Sequence, residues 1–126
     1  MNPDHLPDPD VLDPATLRQL LDLDDGDLGL IREMVELFRD DTPPRIALLE
    51  AALHSGDGEQ IGDMAHAVKG AASTMGAPKV RALAQALEAG GRTGQFAEDP
   101  LHLLARLKAT FAEALVALER FLAEQA

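Results

Sequence analysis

Residues 63–77 read DMAHAVKGAASTMGA. At about 100° per residue, Ile61, Met64, Ala65, Val68, Ala72 and Met75 fall on one side of a helix, the spacing of a buried stripe. His66, Lys69, Gly70 and Ser73 fall on the other side and should face solvent. The stretch predicts a helix from about Glu59 to Met75, with Gly76 suited to end it in a left-handed cap.

Moving outward, Pro78 starts a further helix that carries Val80, Leu83, Ala84 and Leu87. It runs into AGGRTG at residues 89–94, which reads as a turn that reverses the chain. Asp99 and Pro100 supply the cap and first turn of a long helix bearing Leu104, Leu107, Phe111, Leu115, Leu118 and Leu122. On the N-terminal side, Leu30, Ile31, Met34, Val35 and Phe38 form a broad helical stripe that Pro43 and Pro44 should stop. Ile46, Leu49 and Leu53 then predict a separate helix before Ser-Gly-Asp-Gly, antiparallel to its predecessor. Asp13 and Pro14 cap a short first helix with Leu17, Leu20 and Leu21 on its apolar face. Residues 1–12 place Pro3, Pro7 and Pro9 among aspartates and are expected to be a flexible leader to a helical domain over 13–126. No segment alternates with period two. The expected fold is all-α, an antiparallel four-helix bundle with an additional short N-terminal helix.

Composition narrows the chemistry. The 126 residues suit one domain, and with no Trp or Tyr its core must be built mainly from aliphatic side chains. Cysteine is absent, which removes disulfides and thiolate metal sites. The net charge of −11 repels nucleic-acid backbones, so no nucleic-acid partner is expected. The opening residues lack a signal-peptide pattern, and no apolar run approaches the roughly 18 residues of a membrane span. A cytoplasmic monomer with no membrane association is the expectation, since no heptad seam demands a dimer.

Two features set the histidine helix apart. Glycine in a helix interior costs about 1 kcal/mol relative to alanine, yet Gly70 stands among alanines one turn beyond His66. Lys69 lies on the same face, within reach of anything attached to the imidazole. A neutral imidazole can attack a reactive phosphoryl donor without an activating triad, and such transfer depends mainly on in-line positioning and charge stabilisation. Neither G-x-x-x-x-G-K-[ST] nor G-x-G-x-x-G occurs, so the phosphoryl group should come from, and leave to, other proteins. The chain is therefore expected to be a phosphocarrier, not an enzyme, with no cofactor of its own.

The segment from His66 through Val68, Lys69, Gly70 and Met75 to Gly76 and Ala77 resembles the signature of histidine-containing phosphotransfer domains. LAQALEAGGRTG, after the motif, is similar to a second segment of that family. The resemblance implies that His66 accepts a phosphoryl group from an aspartate of one receiver domain and passes it to an aspartate of another. It implies as partners the receivers of a hybrid histidine kinase and of a response regulator, the receiver contributing Mg²⁺. Lys69 would stabilise the phosphoryl group and Gly70 would clear space for the partner. Ala71 and Ala72 stand where many family members carry serine.

Other residues carry weaker signals. Ser73 and Asp63 sit at the periphery of the histidine, Asp63 as a solvated acid or a partner to the ring. The Asp63–His66 pair lacks the further ligands of a metal site, and no metal is expected. His54 suits a helix C-terminus, whereas His5 and His102 have no motif. Lys79 and Arg81 could add positive potential near the site; Glu88 matches the family only by pattern and has no assigned role. The competing function is a helical docking module that binds a receiver or kinase without being phosphorylated. A histidine kinase's phosphoacceptor hairpin is a weaker third reading.

Overall fold

The computed structural model describes residues 7–24 and 26–125. They form α1 (Pro14–Leu23), α2 (Gly29–Ser55), α3 (Gly58–Met75), α4 (Pro78–Thr93) and α5 (Pro100–Gln125), and no strand occurs among them. Helices α2 to α5 make the bundle, and α1 rests against α2 and α3.

The largest departure from expectation is α2. The two antiparallel helices expected on either side of Pro43 and Pro44 are one continuous helix of 27 residues. An interior proline costs about 3 kcal/mol because it removes a backbone donor and crowds the preceding turn. Two features offset this. Pro43 and Pro44 lie on the exposed face, so the carbonyls of Arg39 and Asp40 that lose their partners can turn to water. The buried stripe Ile31, Val35, Phe38, Thr42, Ile46, Leu49 and Ala52 also passes through the prolines in one helical phase. Each large apolar side chain on it contributes about 1.5–3 kcal/mol on burial, and breaking the helix would rotate half of them out of the core.

The second departure is at AGGRTG. Gly90 and Gly91 are helical, and α4 ends only at Gly94, whose φ of 78° forms a left-handed cap. Packing explains both inner glycines. A Cβ on Gly90 would overlap the Phe96 ring, and one on Gly91 would lie 2.8 Å from Gly62 N and 2.9 Å from Gly58 O. Helices α3 and α4 thus meet backbone to backbone at Gly58, Gly62 and Gly91.

Other elements follow the sequence closely. Gly76 takes φ 71° at the end of α3, and Asp57 caps its start by accepting the Gln60 N–H at 3.1 Å. Asp13 accepts from the Ala15 N–H at 3.1 Å and the Thr16 hydroxyl at 3.0 Å, while its own N–H donates to Gly76 O at 2.7 Å, tying α1 to the end of α3. Phe38 of α2 and Phe111 of α5 stack at a tilt, centroids 5.0 Å apart. The leader expected over residues 1–12 lies partly outside the described residues; within them Leu12 is wholly buried, so the packed unit begins before Asp13. No helix among the described residues is long and apolar enough to cross a membrane.

Gly91→Ala should destabilise the fold by about 1–3 kcal/mol, because backbone atoms of α3 cannot yield to the new methyl group. Urea denaturation of the variant and the wild type measures the difference.

Candidate functional site

The apolar stripe of α3 is buried at Ile61, Ala65, Val68, Ala72 and Met75, which turns His66 outward with 65% of its side chain exposed. Its Nδ1 lies 2.9 Å from Glu88 Oε2 on α4. An ionised carboxylate can only accept, so this contact places the proton of the neutral ring on Nδ1. The lone pair is then on Nε2, at the edge of the ring away from Glu88. An imidazole nitrogen with a free lone pair can act as a nucleophile.

Glu88 is itself only 13% exposed and is held by more than the histidine. Lys69 Nζ lies 2.6 Å from Glu88 Oε1 and donates to Gln85 Oε1 at 3.0 Å. Arg92 Nη2 is 3.8 Å from Glu88 Oε2, and Arg92 Nη1 donates to Asp63 Oδ1 at 3.0 Å. The Lys69 hydrogen bond is the main reason the Glu88 carboxyl titrates below the usual glutamate range; partial burial opposes the shift and His66 adds to it.

The sequence candidates divide accordingly. His66 and Lys69 are brought together, with Lys69 engaged by α4 and not free beside the ring. Gly70 is exposed, and a Cβ there would meet nothing within 4 Å, so the fold itself does not require glycine at this position. Asp63 does not bond the ring as considered above; Arg92 draws it away. Ser73 accepts from Arg81 Nε at 3.1 Å, which leaves its hydroxyl turned toward α4. Lys79 reaches across to Glu113 of α5 at 3.4 Å. His54 lies in the last turn of α2, His102 is exposed in the first turn of α5, and His5 is outside the described residues.

Sequence reasoning left Glu88 without a role and passed over Gln85 and Arg92. A signal was present: Arg81, Gln85, Glu88 and Arg92 recur at i, i+4, i+7 and i+11, one polar stripe along α4. Which neighbour that stripe faces is decided by helix packing alone. Between α2 and α3, Met34, Leu37, Ala71 and Thr74 line an open groove of about 230 Å³, with Leu37 53% exposed.

The family model of the Hpt domain matches residues 33–124. Among solved structures, the chain is similar to the crystal structure of histidine-containing phosphotransfer protein B from Pseudomonas aeruginosa PAO1, with 25% identity, a TM-score of 0.70 and 94% of each chain covered. No curated protein sequence matches the chain.

The lowered titration of Glu88 has a defined pH signature. A carboxylate whose folded pKa is depressed adds stability that is present above its unfolded pKa and is lost as pH falls through the folded one. Wild type should therefore exceed Glu88→Gln by about 1–2 kcal/mol at neutral pH. The gap should close below the ordinary glutamate range, as read by urea denaturation across a pH series.

Proposed function

The chain belongs to the Hpt domain family, the histidine phosphotransfer proteins of phosphorelays, and on that premise we propose that His66 is its phosphoryl carrier. The observation that carries the reading is the Nδ1 contact to Glu88, which leaves the Nε2 lone pair free on a ring that is 65% exposed, one turn before a Gly70 whose flank is empty.

In this reading Nε2 attacks the phosphorus of an aspartyl phosphate on a receiver domain. The Nε2–P bond forms as the P–O bond to the aspartate breaks, and that carboxylate leaves with the electron pair. The ring, having given its lone pair, becomes positively charged, and the Nδ1 proton stays shared with Glu88, whose negative charge stabilises the product. Attack by the aspartate of a second receiver reverses every bond change. Lys69 sits one turn away to meet the phosphoryl oxygens, and the partner's Mg²⁺ would neutralise the remaining charge. The donor is the receiver of a hybrid kinase and the recipient that of a response regulator. The partner docks over Gly70 and the α2–α3 groove, where Leu37 offers apolar surface.

Incubation with a phosphorylated receiver domain should place an acid-labile, alkali-stable phosphate on this chain, absent from His66→Gln. Binding without any label would instead favour a docking module. Gly70→Ala should raise stability by about 1 kcal/mol, because only helix propensity changes. Gly70→Gln should leave the fold intact yet slow transfer about tenfold or more by keeping the partner from the in-line position, in a single-turnover assay.

A further inference from the structure

At rest, both cations that touch Glu88 already have acidic partners. Lys69 sits on Glu88 Oε1 at 2.6 Å, and Arg92 on Asp63 at 3.0 Å. A phosphoryl dianion on Nε2 upsets this balance. Lys69 has a flexible four-carbon stem, and its turn toward the phosphoryl oxygens would strip Glu88 of its strongest partner just as a new negative charge arrives nearby. A carboxylate only 13% exposed cannot replace that partner fully with water.

Arg92 is placed to take over. Its guanidinium lies flat against α3 at Gly62, where a Cβ would fall 2.7 Å from Cζ, so the missing side chain is what lets the arginine cross the helix. Asp63 fixes Nη1, and Nη2 faces Glu88 Oε2 at 3.8 Å, in ion-pair range but beyond a hydrogen bond. We propose that Arg92 is a positioning residue acting through Glu88: when Lys69 moves to the phosphoryl group, Arg92 closes this gap and keeps the carboxylate ionised and on Nδ1. The inference rests on His66 as the acceptor. It adds an exchange of counterions, with Gly62 and Asp63 holding the substitute ready.

The test uses the whole chain phosphorylated with phosphoramidate, comparing wild type, Arg92→Gln and Gly62→Ala. The last keeps the arginine charge but displaces the guanidinium, and the atoms nearest to its new methyl group all belong to the flexible Arg92 side chain. Before phosphorylation, the Nδ1–H resonance of His66 should be the same in all three, since Lys69 holds Glu88. After phosphorylation it should persist in wild type alone. Both variants should then exchange this proton and lose phosphate about threefold faster, the scale of a partly exposed ion pair. An unchanged resonance in phosphorylated Arg92→Gln overturns the inference even if phosphate loss quickens, because Arg92 would then act on the phosphoryl group directly. Loss of the resonance before phosphorylation also overturns it, showing ordinary structural support. Wild type that takes no label on His66 sinks the reading of the acceptor and this inference together.

Discussion

Everything at the site depends on how closely α3 and α4 approach. Gly58, Gly62 and Gly91 carry no side chain at the crossing, and the two backbones come within a methyl group's width of each other. One turn from Gly91 toward the start of α4 stands Glu88, and one turn from Gly62 toward the end of α3 stands His66. A normal separation set by larger side chains would leave a glutamate too short to reach the imidazole. The glycines cost helix propensity, and α3 and α4 recover it through packing and through the charged contacts that the short distance allows.

Those contacts would reconcile the proposed phosphoryl site with a strongly acidic protein. A net charge of −11 opposes the arrival of a dianion, so a histidine simply displayed on this surface would be a poor acceptor. The local arrangement differs from the average. His66, Lys69 and Arg92 surround a single, mostly buried carboxylate, which is held ionised by its neighbours and in turn sets which ring nitrogen is free. Glu88 therefore does two things with one charge. In the proposed transfer it would orient the nucleophile beforehand and balance the ring's positive charge afterward. A lysine paired with Glu88 is also kept close to the ring without being committed to it, which would suit the binding and release in turn that the proposed transfer needs.

The long α2 helix completes the surface. Because it continues through Pro43 and Pro44, it lays one unbroken face beside α3, and Met34 and Leu37 line a groove there with Ala71 and Thr74. Two shorter helices would have placed a loop there. The prolines sit on the solvent side, where missing backbone donors leave carbonyls that water can satisfy.

The sequence by itself determined the all-helical class and the outward face of α3. A 3.6-residue period with caps at Asp13 and Gly76 is a local property, legible wherever the residues that make it are neighbours along the chain. His66, Lys69 and Gly70 lie within five consecutive residues and were readable for the same reason. Tertiary structure alone decided the rest. Pro43 and Pro44 read locally as a break, but the buried stripe in phase on both sides outweighs them, and that gain exists only once α2 packs on its neighbours. Gly90 and Gly91 read locally as a turn, but they are helical because another backbone and the Phe96 ring occupy the space a side chain would fill. Glu88 lies 22 residues from His66, and no local period joins them. Their contact depends on the crossing of two helices, a quantity set by the whole core and by no single segment.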